Sequence, residues 1–177
     1  ISLVLYGAMN AATDKIKGFA SLLSSLRILE RKGHRDDFEV IVFGASESEL
    51  SMDVNIPIHY VGYVDNTLEL VSLYTLASVM VVPSLTENLS CAIMESLSCG
   101  TPVVAFNVGG NGDMIEHQKN GYLAQEKDDA DLAEGILWCL EHNQDYGLSL
   151  SARKKVLNEY AFEMACGKYG ELYNSMI

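Results

Sequence analysis

The chain reads as an α/β domain, a Rossmann-like doubly wound parallel sheet of about six strands with helices on both faces. Three observations lead there. Short unbroken runs of Val, Ile and Leu recur along the sequence, stretches with helical apolar spacing separate them, and Gly or Pro closes most runs. Strands that are apolar at every position belong inside a parallel sheet covered on both sides, and helices provide the cover.

The elements follow in order. Residues 2–6 form an apolar run that stops at Gly7. Residues 18–32 carry Phe19, Leu22, Leu23, Leu26 and Leu29 at helical spacing, and Gly33 ends them. Residues 39–43 (Glu-Val-Ile-Val-Phe) and 58–61 are the next two strands. A helix over 67–77 has Leu68, Val71 and Leu76 as its apolar side and Asp65 or Asn66 as its cap. Strand 78–82 closes at Pro83, helix 89–99 at Gly100, and strand 102–106 runs into a loop over 107–112. A short helix over 113–117, a turn at Asn120-Gly121, a sixth strand over 122–124 and helices over 131–142, 149–159 and 162–176 complete the pattern. In this architecture ligands sit at the carboxyl ends of the strands. The loops that matter are therefore 7–17, 43–47, 62–66, 83–90 and 107–113.

Composition narrows the function classes. The chain has 177 residues, enough for one self-sufficient core, with 49% hydrophobic and 20% charged residues. A net charge of −12 argues against a nucleic-acid partner, whose phosphates demand a basic surface. It leaves room for a small anion held by local donors. The four cysteines, Cys91, Cys99, Cys139 and Cys166, lack metal-ligand spacing and read as reduced thiols of a cytoplasmic protein. No metal site is assigned; Asp36-Asp37 and Asp128-Asp129 read as solvated turns. The chain opens on Ile1 inside a strand-like run, and no signal peptide is apparent. The expectation is a domain cut from a longer protein.

The main site candidate is Pro83-Ser84-Leu85-Thr86-Glu87-Asn88-Leu89-Ser90, a strand end leading into a helix. Unpaired N–H groups at a helix start attract anions, and the helix dipole adds to this. Glu95 follows Glu87 by eight positions, about two turns along the helix. A carboxylate there can accept from two vicinal hydroxyls. Spacing alone leaves open that Glu87 is a helix-start charge and Glu95 a solvent-facing residue.

The stretches Ser84-Leu85-Thr86-Glu87, Ile93-Met94-Glu95-Ser96, Cys99-Gly100-Thr101-Pro102-Val103-Val104, Val108-Gly109-Gly110 and Asn120-Gly121-Tyr122-Leu123 occur in this order. Together they resemble the retaining glycosyltransferases of the group 1 family, whose fold is GT-B. The likeness is continuous from about residue 58 to 123. It extends more weakly to residues 7–19 and to Tyr160, Tyr169, Leu172 and Tyr173 near the C-terminus. It implies the C-terminal, donor-binding half of a GT-B enzyme, the acceptor-binding N-terminal half being absent. Such an enzyme moves a sugar from a UDP-, GDP- or ADP-linked donor to an acceptor hydroxyl on a polysaccharide or lipid-linked glycan, without a metal ion. It is cytoplasmic, or peripheral at the inner face of the plasma membrane through the other half.

The resemblance also implies roles. Glu95 binds the ribose, Glu87 faces the donor sugar, and the amides of Asn88, Leu89 and Ser90 hold the diphosphate. Lys17, just before Gly18, matches the family's cation that stabilises the leaving group. The loop Gly62-Tyr63-Val64 holds the base, and Gly109 and Gly110 border the sugar or phosphate pocket. Two departures stand out. Asn88-Leu89-Ser90 replaces the family's glycine-rich run, and Ala8, following Gly7, stands where an Arg is usual, so that either Lys15 supplies the second charge or one cation is missing. These departures keep two other readings open: a nucleotide-binding module without transferase activity, and a GT-B sugar-nucleotide epimerase.

Overall fold

The computed structural model describes residues 1–7 and 14–176. Ala8, the departure noted above, lies outside the described residues. Six strands form one sheet: β1 (Ser2–Gly7), β2 (Phe38–Phe43), β3 (Ile58–Gly62), β4 (Val79–Val82), β5 (Val103–Phe106) and β6 (Gly121–Ala124). Every pairing is parallel, and the spatial order is β3-β2-β1-β4-β5-β6. The winding direction reverses between β1 and β4, the crevice where such sheets bind ligands.

Alternate residues of β1, β2, β4, β5 and β6 feed two separate cores, while the edge strand β3 packs one face and leaves His59 and Val61 exposed. Val4, Tyr6, Val40, Val42, Val79, Val81, Val104 and Phe106 face α1 (Phe19–Arg31) and α5 (Asp129–His142). Leu5, Met80, Val82, Val103 and Ala105 face α2 (Thr67–Leu76), α3 (Cys91–Ser98) and α6 (Gly147–Glu159). Burial on both faces is why the inner strands read as unbroken apolar runs. The remaining helices are α4 (Asn111–Met114) and α7 (Phe162–Asn174), and a single 3-10 turn spans Lys15–Lys17.

Three expectations need correction. The inward side of α2 is not Leu68, Val71 and Leu76, which are 75%, 44% and 65% exposed; the buried residue is Tyr74. This helix is apolar almost all round, so periodicity carried no direction. Helix α3 begins at Cys91, not Leu89, because the Asn88 carbonyl is taken by the Gly110 N–H at 2.8 Å. That contact holds the preceding residues in a turn. Helix α4 covers 111–114 rather than 113–117, because the Asn120 side chain accepts from Glu116 N–H (2.8 Å) and donates to the Met114 carbonyl (3.0 Å). These two bonds draw the chain out of the helix.

The acidic pair Asp128-Asp129 also has a structural use. Asp128 caps α5 by accepting from the Ala130 and Asp131 N–H groups, both at 3.0 Å. Asp131 completes an aspartate–alanine–aspartate run, and its carboxylate accepts from the Tyr122 hydroxyl (2.8 Å) and the Gln125 N–H (2.7 Å). Among the described residues, no group of three or more His, Cys, Asp or Glu side chains is placed to hold a metal ion. The cysteines are unpaired. No helix of the described residues is long and apolar enough to cross a membrane.

An ion-pair cluster fastens α6 behind the 107–113 loop. Lys155 reaches Glu116 at 3.1 Å and Glu159 at 2.7 Å. Hydrogen bonds from Lys155, and then from Lys119, hold the Glu116 carboxyl below its ordinary range. A carboxyl depressed on folding contributes stability above its unfolded pKa and loses it as pH falls through the folded one. Stability is therefore expected to fall as the pH is lowered through the carboxylate range, and Lys155→Met to flatten that fall. Urea unfolding of both proteins across this range checks it; parallel curves would refute the assignment.

Candidate active site

A cleft of about 500 Å3 opens at the carboxyl edge of the sheet, where β1 and β4 part. The floor is the ends of these strands, from Tyr6 and Gly7 on one side and Val82, Pro83 and Ser84 on the other. One wall carries Lys17 and Glu87, the opposite end Phe43, Tyr63, Val64, Asp65, Leu70 and Tyr74. The start of α3 supplies Leu89, Ser90, Cys91, Ala92 and Glu95. Most of the residues that the sequence singled out thus meet in one place: Gly7, Lys17, Tyr63, Val64, Glu87, Leu89, Ser90 and Glu95 all line the cleft.

Close backbone packing builds the wall that carries Lys17 and Glu87. Gly18 has φ +71°, and a Cβ there would lie 1.8 Å from the Pro83 carbonyl oxygen. No other residue type allows this approach. Next to it the Leu85 N–H donates to the Ile16 carbonyl at 2.8 Å, fastening the 3-10 turn to the loop after β4. This brings Lys17 Nζ within 3.7 Å of Glu87 Oε1, with the lysine side chain 43% exposed and the glutamate 15%. Lys15 is exposed in the same turn and does not line the cleft.

Gly109 and Gly110 stand behind the cleft rather than in its lining. At Gly109 (φ +51°) a Cβ would fall 1.7 Å from the Glu87 carbonyl oxygen; at Gly110 it would fall 2.4 Å from that of Asn88. Their close approach is to the 87–88 backbone, which they seat. Asn88 is exposed and does not line the cleft. Within α3 the first N–H to find a partner is that of Met94, on the Ser90 carbonyl (3.1 Å). Among the described residues the N–H groups of Asn88, Leu89 and Ser90 find no hydrogen-bond partner either, so the free amides run from Asn88 to Ile93 and include the three that the sequence singled out.

The other end is more apolar. Gly62 (φ +72°) turns the chain out of β3, and its carbonyl accepts from Gly44 N–H at 2.7 Å. Tyr63 is 64% exposed, and its hydroxyl donates to Glu49 Oε1 at 3.0 Å. Hydrogen bonds from Ser46 and then Tyr63 hold the Glu49 carboxyl below its ordinary range. Beneath them Phe43 meets Tyr74 edge to face, with ring centroids 6.0 Å apart. The Tyr74 hydroxyl donates to Glu95 Oε2 at 3.0 Å. Burial, and then the neighbouring Glu95 carboxylate, push the Tyr74 phenol far above its ordinary range, so it stays a donor. The sequence reading missed Tyr74. The one available signal was a polar-tipped ring in an otherwise apolar helix.

The cleft thus brings together the Lys17–Glu87 pair, the free amides at the start of α3, the Glu95 carboxylate and a more apolar end. Comparison with known proteins fixes the family. The model of the family described as Glycosyl transferases group 1 matches residues 1–142, well over half of the chain. The chain belongs to the group 1 glycosyltransferases.

This group 1 glycosyltransferase is 29% identical over 172 residues to the amylovoran biosynthesis glycosyltransferase AmsK of Erwinia amylovora, covering 90% of this chain and 42% of AmsK. Sucrose-phosphate synthase from Thermosynechococcus elongatus matches its structure with a TM-score of 0.76 at 24% identity, over 99% of this chain and 45% of that one. Anabaena HepE, solved in complex with UDP, matches with a TM-score of 0.78 at 19% identity, over 98% of this chain and 48% of HepE. The chain thus spans less than half the length of these proteins. The structural likenesses establish the fold, a doubly wound domain equivalent to one half of GT-B.

Proposed function

We propose that this domain is the donor-binding, C-terminal half of a retaining glycosyltransferase that takes a nucleoside-diphosphate sugar. The observation that carries the reading is the cleft at the point where the strand order reverses. It places Lys17 and Glu87 beside the α3 start, with Glu95 along the same helix. The diphosphate lies against the amides at the start of α3, where backbone N–H groups and the helix dipole favour negative charge. Lys17 adds a point charge where the leaving diphosphate gains its own, so the transition state is stabilised more than the ground state. No divalent ion is required in this scheme. Glu95 accepts from the ribose hydroxyls, the base lies at the apolar end near Tyr63 and Val64, and Glu87 faces the donor sugar. The complex of HepE with UDP makes a uridine nucleotide the first to test.

The acceptor, a hydroxyl on a polysaccharide or lipid-linked glycan, belongs to the other half in this reading, so the isolated domain binds nucleotide weakly and transfers nothing. Helix α7 supports a docked second half. It buries none of its residues, and Phe162, Tyr169, Leu172 and Tyr173 are 79%, 63%, 54% and 61% exposed. An apolar surface of this kind marks an interaction site.

Calorimetry with UDP, GDP and ADP tests the site. One of the three is expected to bind, and Glu95→Ala to weaken it about tenfold through the lost hydrogen bonds to a charged group. Unchanged affinity in that variant would remove the ribose assignment.

A further inference from the structure

We infer that Tyr74 is a positioning residue for nucleotide binding, its hydroxyl aiming the Glu95 carboxylate into the cleft. The inference rests on the reading of Glu95 as the ribose ligand. Glu95 is an exposed side chain on the rim of α3. A free glutamate there samples many rotamers, and ordering it on binding costs affinity. Among the described residues its carboxylate has one partner, the Tyr74 hydroxyl, which donates to Oε2 and leaves Oε1 to a ligand.

Tyr74 itself has little freedom. It is 2% exposed, and its ring packs against Phe43, which also lines the cleft. Its backbone carbonyl accepts from Thr101 Oγ1. Thr101 is in turn tied to α3 next to Glu95, because Ser96 Oγ donates to the Thr101 carbonyl (3.0 Å) and Thr101 N–H to that of Ser96 (2.9 Å). Both ends of the tyrosine are therefore referenced to the helix that bears Glu95, one through the hydroxyl and one through the main chain. The phenol is a rigid strut between them, with two side-chain torsions to order against the three of a glutamate. A preorganised acceptor binds vicinal hydroxyls more tightly than a mobile one.

The arrangement predicts an effect confined to nucleotides that carry ribose hydroxyls. Calorimetry on the whole chain is run with UDP, GDP or ADP, whichever binds, and with its 2′,3′-dideoxy counterpart. Tyr74→Phe removes one oxygen and keeps the ring on Phe43. It is expected to weaken the ribonucleotide about tenfold, to leave the dideoxynucleotide unchanged, and to add nothing to Glu95→Ala. If Glu95→Ala weakens the ribonucleotide and Tyr74→Phe does not, the inference is overturned and the ribose reading stands. An equal loss on both nucleotides also overturns it, since Tyr74 then only shapes the cleft. No effect of Glu95→Ala removes the ribose reading and the inference together. Should Tyr74→Phe not fold, proton NMR poses the same question. A slowly exchanging Tyr74 hydroxyl proton that is lost in Glu95→Ala supports the inference, and its absence from the unmodified chain overturns it.

Discussion

Gly18→Ala is expected to destabilise the domain by about 4 kcal/mol or more and to abolish nucleotide binding. The backbone there has φ +71°, a left-handed conformation that costs a non-glycine residue about 1–2 kcal/mol before any clash. The added methyl would also stand 1.8 Å from the Pro83 carbonyl oxygen, so backbone must move. What moves is the joint between the 3-10 turn and the loop after β4, including the Leu85-to-Ile16 hydrogen bond. Lys17 and Glu87 lie on the two sides of that joint. Urea unfolding reports the stability and calorimetry the binding. A loss below about 1 kcal/mol would mean that the joint yields freely and does not hold the site.

Lys17→Ala is expected to cut sugar transfer by about 100- to 1,000-fold in a protein that joins this domain to its acceptor half. In the proposed mechanism the reason is selectivity for the transition state: the lysine neutralises charge that grows on the diphosphate as the glycosidic bond breaks. In the chain alone, nucleoside diphosphate affinity is expected to fall about tenfold while affinity for the bare nucleoside stays the same. Lys17→Arg does not restore the rate fully, because a planar fork does not replace a compact ammonium. Equal losses for nucleoside and diphosphate would place Lys17 away from the phosphates. Full turnover in Lys17→Ala would remove it from the chemistry.

The sequence made most of the framework legible, and for identifiable reasons. The inner strands were readable because burial on both faces demands uniform apolar runs, as in Val79–Val82 and Val103–Phe106. Asn66 was readable as the cap of α2 because capping is local chemistry; its side chain accepts from Leu68 N–H at 2.8 Å. The pairing of Glu87 with Glu95, and Lys17 before Gly18, were visible as motifs. Where several distant contacts competed, the reading failed. The inward face of α2 was lost because apolar residues occupy every side of it. The first turn of α3 was placed two residues early because its limit is set by Gly110, from another loop.

The order of apolar runs and turns along the chain was enough to determine a doubly wound parallel sheet and the edge on which its ligand loops lie. Period and punctuation are local properties that survive in one dimension. Only the folded chain decided that Gly18 and Gly109 press against the backbones of Pro83 and Glu87, that Lys17 faces Glu87, and that Tyr74 holds Glu95. Each of these joins residues from separate βα units. Their meeting follows from the strand order and from packing at van der Waals distance, neither of which leaves a mark in local spacing.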